Sequence, residues 1–437
     1  MTLTEATRVD APTEATGGRA DPLAAVVGLT VVLLPFLTPA GPGNSALGDV
    51  SMVGAVILAF LWAARERVPV HVPYAPGVAL LVIGGATAAI VARAPSSVAL
   101  VLVEDLVLLS WACTLALGRH RPALVRAATV AWCRMAPLYC VVMVIAYLTG
   151  INAVSGVSGK DGVRASYTFG DPNLAGNYLV VSLFVMAACR RPRTPWVRHA
   201  GYLVVLTAVL FTGSNGAMLT LVLGSVACWV LSRARLGAAK GVSALVVSAL
   251  IAITLAVWVI PNVSLDGVRQ ATAGSIPLLR DSVGRSGSST AERSSIVSEG
   301  FTLFLDGDTT GYGPARTKAT LQNDQAPYVK EAHNDYLATL LERGVVGSVG
   351  LVLLMVAIAL RCMALAGSTP LPPEFASSVP RPWLLVAVAP VMATAAAFYE
   401  VLHFRHLWTW LGIVAALVLA LQDARRSQRE RDREVMP

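Results

Sequence analysis

His333 and Asn334 stand directly before DYLATLLERGVVGSVGLVLLMVAIAL, a run with unbroken helical patterning. The pair therefore falls in or just before the first turn of a membrane-length helix. A helix N-terminus presents free N–H groups and partial positive charge. That field disfavours an imidazolium and attracts anions. The chemistry on offer is proton acceptance by a neutral imidazole beside a seat for phosphate. A histidine that merely caps the helix would give the same local pattern.

Three other groupings could carry chemistry. DPNLAGNYL places Asp171 at an N-cap, Pro172 at the first helical position, and Asn173 and Asn177 on one face. Those amides suit either sugar contact or interhelical hydrogen bonding. Glu104 and Asp105 lie inside an apolar stretch. Intramembrane carboxylates are costly, so pairing with an arginine is the favoured reading over a proton path. YEVLHFRH brings Glu400, His403, Arg405 and His406 to one turn. A wet interfacial turn is favoured there over metal ligation by the two histidines.

The elements that must position these residues follow from composition. The 437 residues are 55% hydrophobic and 14% charged, with mean hydropathy +0.64. A soluble chain would carry more charge. We expect an all-α, polytopic membrane bundle of about twelve transmembrane helices. The spans run roughly over 23–39, 48–64, 75–92, 97–117, 128–149, 172–189, 197–212, 215–232, 242–260, 336–361, 382–400 and 405–422. One large extracytoplasmic loop, 261–335, lies between spans nine and ten. The organisation is a disordered cytoplasmic tail (1–22), spans one to nine (23–260), the loop, spans ten to twelve (336–422) and a basic cytoplasmic tail (423–437). Residues 1–22 lack the apolar core of a cleavable signal peptide.

The net charge of +8 is not a nucleic-acid signal, because its arginines occupy short loops between apolar runs. With both termini inside, the inner loops hold most of these cations, which fits the positive-inside bias of the cytoplasmic (inner) membrane. The six cysteines fall in or at the ends of apolar segments, so no disulfide framework or thiolate zinc site is expected. In the loop, Ser289 and Glu292 form a capping box ahead of Ile296, Val297, Phe301, Phe304 and Leu305, predicting a short amphipathic helix.

The His-Asn pair, nine residues and then Gly344-Val-Val-Gly347 resemble the signature of the O-antigen ligase and O-antigen polymerase superfamily. RASYTFGDPNLAGNYL resembles that family's arginine-led Pro-Asn element, and ERSSIVSEGFTLFLDGDTTGYGPA its arginine-led loop helix and Gly-x-Gly turn. The specific likeness covers about 160–360. It implies a metal- and nucleotide-independent transfer outside the cytoplasm, with no cofactor. A glycan on undecaprenyl diphosphate is the donor, and an acceptor glycan or lipid supplies a hydroxyl. Carried over, the general base falls on His333 and a diphosphate arginine on Arg293, with Arg164 matching the arginine before the Pro-Asn element. Asn334 and Asn173 fall in the same motifs as substrate contacts. The family's outer-turn arginine is replaced here by Asn215 in TGSNGAM. Either Arg164, Lys160 or Arg285 then supplies its charge, or the protein handles another donor. The rival reading is a transporter or flippase of lipid-linked saccharides, which should show paired repeats and broken helices near midplane.

The expected topology has a direct check. An enzymatic reporter fused near Ser288 should be active only outside the cytoplasm, and one at the C-terminus only inside. A cytoplasmic signal from 261–335 would place the donor glycan on the wrong side and end this reading.

Overall fold

The computed structural model describes residues 21–38, 45–158, 162–254, 297–305, 307, 309–323, 334–367 and 369–435. The expected 1–22 tail, the Ser289–Glu292 capping box, His333, Arg293, Arg285 and Lys160 lie outside the described residues, save that Asp21 and Pro22 begin the first helix. Among the described residues the regular elements are helical. The principal ones are α1 (Pro22–Leu33), α2 (Leu47–Arg65), α3 (Ala75–Val91), α4 (Pro95–Ala116), α5 (Pro122–Leu148), α6 (Pro172–Cys189), α7 (Pro195–Thr212), α8 (Asn215–Ala234), α9 (Ala238–Thr254), α10 (Asp335–Ala366), α11 (Val388–Ala396) and α12 (Arg405–Val435). A helix thus stands at each expected apolar stretch. Six of the described helices, α2, α5, α6, α8, α10 and α12, are long and apolar enough to cross a membrane.

Local chemistry explains where these helices start. Proline fills the first position of α1, α4, α5, α6 and α7, where a missing N–H costs nothing. Asp21, Asp171, Ser214 and Asn334 each accept hydrogen bonds from the first-turn amides they cap. Several boundaries differ from the sequence expectation, three of them with a plain consequence for the fold. α1 ends at Leu33, because Pro35 cannot continue an α-helix. The 382–400 stretch divides into a 3-10 helix, Pro382–Ala387, and the nine-residue α11, which has Pro390 in its first turn. Beyond 422 the chain continues as helix to Val435, so the basic segment extends α12.

The bundle is closed around α6 and α12, the most enclosed of the membrane-length helices. Several buried aromatics spend their polar atoms on other helices. Trp111 donates to Thr409 Oγ1 at 2.9 Å, Trp132 to Ser182 Oγ at 2.8 Å, and Tyr74 to the Leu411 carbonyl at 3.1 Å. The outer faces carry exposed Ile57 and Leu61 on α2, Leu138 and Ile145 on α5, and Val349, Val352 and Val356 on α10. In water such a surface would aggregate; in lipid it is the required one. All six cysteines are free thiols.

α3 and α10 meet along small residues. A Cβ on Gly84 would lie 2.5 Å from the Gly347 amide nitrogen, and one on Gly77 would lie 2.7 Å from that of Leu354. This backbone contact is available only to glycine. Gly84→Val should therefore force the helices apart at an overpacking cost of about 1–3 kcal/mol. Thermal unfolding in detergent should show a lowered midpoint, whereas Gly54→Val should leave it unchanged, since nothing lies within 4 Å of that site.

Candidate active site

α10 is not continuous. At Gly344 the backbone takes φ 62° and ψ −163°, a conformation that favours glycine and divides the helix into 335–343 and 345–366. A break in a membrane helix frees backbone groups that lipid cannot satisfy. Here the 309–313 segment takes them up. Tyr312 N–H donates to the Leu341 carbonyl at 2.8 Å, Gly313 N–H to that of Glu342 at 3.1 Å, and Val345 N–H to that of Thr309 at 3.0 Å. Glu342 accepts from Thr317 Oγ1 at 2.7 Å and from Ala315 N–H at 2.8 Å. Gly347 and Gly350 pack against α3, while Gly344 makes the break.

The half-helix 335–343 is fixed at both ends. At its foot, buried Arg343 pairs with Asp105 of α4 at 2.5 Å and donates to the Leu81 carbonyl of α3 at 3.3 Å. At its head, Asn334 Oδ1 accepts from the Tyr336 and Leu337 amides at 2.9 and 3.1 Å. The side chain of Asp335, only 2% exposed, accepts from the Val401 and Leu402 amides at 2.8 and 3.2 Å. Tyr336 donates to the Ala393 carbonyl at 2.8 Å. The helical segment 297–305 also rests here, because a Cβ on Gly300 would lie 2.9 Å from Leu337 Cδ2. Asn334 is thus the cap of this helix, and His333 is the residue before that cap in the chain.

A second polar group gathers at the head of α6 and α8. Arg164 is buried; its Nε donates to the Thr212 carbonyl at 3.0 Å and its Nη2 to Asn173 Oδ1 at 2.9 Å. Ser214 Oγ donates to the same Asn173 oxygen at 2.9 Å, and also caps α8 by accepting from the Ala217 amide. Asn215 is the first residue of α8. Three residues singled out in the sequence, Arg164, Asn173 and Asn215, therefore assemble around one turn. Asn177 does not join them. It pairs with buried His406 at 2.7 Å, across α6 and α12.

Tyr399 links the two groups. A Cβ on Gly216, next to Asn215, would lie 2.6 Å from Tyr399 Oη, and two residues on, Val401 holds Asp335. The 399–403 turn thus borders both the Arg164 group and the head of α10. His403 in this turn lies 2.9 Å from Glu104 and 3.9 Å from Glu400. Burial disfavours its imidazolium, but the Glu104, Glu400 and Asp335 carboxylates outweigh it and push the pKa up to about 9. The two histidines of YEVLHFRH diverge, one toward these acids and the other into the core, while Arg405 pairs with Asp49. Sequence reasoning missed Arg343 and Asp335. An arginine inside an apolar run, with Asp105 also in a span, was the available signal.

These observations define a multi-pass membrane protein with its polar machinery collected at one end of a helical bundle. Residues 200–354 match the family model described as O-Antigen ligase, a likeness over that stretch that supports the O-antigen ligase/polymerase superfamily. The matched stretch takes in Asn215, Arg285, Arg293, His333, Asn334 and the Gly344 break. Arg164 and Asn173 precede it. A search of curated proteins gives no match.

Asn334→Ala should cost about 1 kcal/mol of stability through the lost cap, and Asn334→Ser should recover most of it. Thermal unfolding of the purified protein measures both. Equal losses in the two variants would show that the side chain does more than cap.

Proposed function

We propose that this protein is a membrane glycosyltransferase of the O-antigen ligase/polymerase type. It moves a glycan from undecaprenyl diphosphate to an acceptor hydroxyl at the outer face of the cytoplasmic membrane. Both termini lie inside, twelve helices cross the bilayer, and the 261–335 loop lies outside. The observation that carries the reading is the family match over 200–354, which spans the Asn215 turn, the loop arginines and the His-Asn head of α10.

In the proposed reaction the acceptor oxygen attacks the anomeric carbon, the anomeric C–O bond to the diphosphate breaks, and undecaprenyl diphosphate departs. His333 takes the hydroxyl proton. Arg293, with Arg164 and Arg285, faces the leaving group, where guanidinium forks gain most as negative charge develops. Asn334, Asn173 and Asn215 border the bound sugars. The anchoring of Asn334, Asp335 and Arg343 supports a fixed position for the base, as precise proton transfer requires.

The break at Gly344 is the one feature that favours the rival flippase reading, since transporters use interrupted helices. In transporters such backbone lines a substrate cavity. Here the freed carbonyls are covered by 309–313, and the neighbouring arginine is paired. Both facts favour a rigid support over a transport path.

His333→Ala and His333→Gln should each lower transfer by 10²–10⁴-fold, the usual loss on removing a positioned base, while the protein stays folded and inserted. Transfer by purified His333→Asn at near wild-type rate, with a chelator present, would remove the base assignment. In a deletion strain, mass spectrometry of lipid-linked glycans should show undispersed single repeats for a polymerase, or full-length chains held on lipid for a ligase.

The arginine clamp has its own check. Arg293→Lys should fail nearly as badly as Arg293→Ala, because lysine lacks the planar fork. Activity surviving in both Arg293→Ala and Arg164→Ala would dismiss the clamp, and Asn215→Arg should be tolerated if its turn borders the same site.

A further inference from the structure

At the end of the bundle opposite the site just described, arginines converge on the α6–α7 connection. A cleft of about 490 Å³ is lined by Arg126, Arg134, Arg191 and Arg193 with Val130, Cys133 and Pro192. A smaller one of about 240 Å³ adjoins it and shares Arg191 and Arg193, adding Arg190 and Arg198. Loop arginines at a membrane boundary need no ligand as such. These differ from their neighbours in how their charge is met.

Two other arginines at this end have carboxylate partners: Arg119 pairs with Asp423 and Arg121 with Asp21, each at 2.8 Å. Among the described residues, none of Arg126, Arg134, Arg190, Arg191, Arg193 or Arg198 pairs with a carboxylate. Arg191 Nε is buried with no hydrogen-bond partner. Arg198 spends one Nη1 on the Arg190, Pro192 and Arg193 carbonyls, which holds the loop in place. So many like charges around one hollow call for an anion.

The surroundings say which kind. Arg126, Val130 and Arg134 recur every four residues on α5, on one face. Arg134 lies twelve residues into that helix, roughly 18 Å from its start. Continuing along that face come Leu138, Val141 and Ile145, which are 61%, 40% and 54% exposed. The basic cleft therefore opens onto an apolar stripe that faces the hydrocarbon. A free phosphate would leave that stripe unused; a phospholipid would use both parts.

We propose that this cleft binds the phosphate headgroup of an anionic phospholipid whose acyl chains lie along the Leu138, Val141 and Ile145 face. Guanidiniums recognise phosphate oxygens through paired N–H donors, and basic hollows between membrane helices suit such headgroups. The site is independent of the transfer reaction, and it lies on the cytoplasmic side in the orientation proposed above.

The test is native mass spectrometry of the full-length protein, released from nanodiscs holding equal phosphatidylglycerol and phosphatidylcholine. The wild type should retain one phosphatidylglycerol in preference to phosphatidylcholine, and millimolar inorganic phosphate should not displace it. Arg134→Gln/Arg191→Gln should weaken that retention about tenfold or more. Arg425→Gln/Arg429→Gln, on the exposed end of α12, should leave it unchanged. Equal retention of the two lipids, displacement by inorganic phosphate, or a double variant that binds like wild type would each overturn the proposal. If the double variant aggregates, the wild-type preference between the two lipids decides it alone.

Discussion

An arginine inside a membrane bundle must be matched, and Arg343 is matched by Asp105 on α4 and the Leu81 carbonyl on α3. Much of the architecture around the α10 break depends on that pairing. It stands one residue before the Gly344 break, so the short half-helix above it has a fixed base despite having lost its continuation. Removing either partner would strand a buried charge, which costs far more than the pair itself contributes. The ion pair is better understood as fixing a geometry than as a source of stability.

From that base the rest can be traced upward. The half-helix ends in the Asn334 cap and the Asp335 carboxylate, which takes two amides of the 399–403 turn. The turn reaches across to Gly216 through Tyr399, and α8 begins there, beside Arg164 and Asn173. A charged group and an amide group on different helices are thus coupled through one short segment of backbone. Glycine at 216 leaves room for the tyrosine, and glycine at 344 permits the break; neither function could be filled by a larger residue without moving the chain.

Much of this was legible in the sequence. The twelve apolar stretches, the Asp171-Pro172 start of α6 and the polar character of the 400–406 turn follow from local chemistry, and local chemistry is what a sequence displays. Pairings between distant residues are not displayed. Arg343 and Asp105 are 238 positions apart, as Asn177 and His406 are 229 apart, and composition names neither partner. Asn173 and Asn177 share a helical face, yet they turn to different neighbours, because faces have width and the flanking helices differ. The break at Gly344 is not displayed either, because a glycine that permits close packing and one that permits a break look alike until the backbone angle is known. His333, Arg293 and Arg285 lie outside the described residues, so their roles rest on motif and chemistry.

The enclosure of α6 and α12 bears on how the protein is made. Helices enter the bilayer in chain order, and α6, enclosed over most of its surface in the finished bundle, arrives before the helices that will enclose it. Its Asn177 has no partner until His406 is synthesised, 229 residues later. The centre of the bundle is therefore sealed only when α12 arrives, well after the asparagine it satisfies. A chain released early would hold its innermost helix against lipid with an amide unsatisfied, a state that quality-control proteases could distinguish from the finished fold.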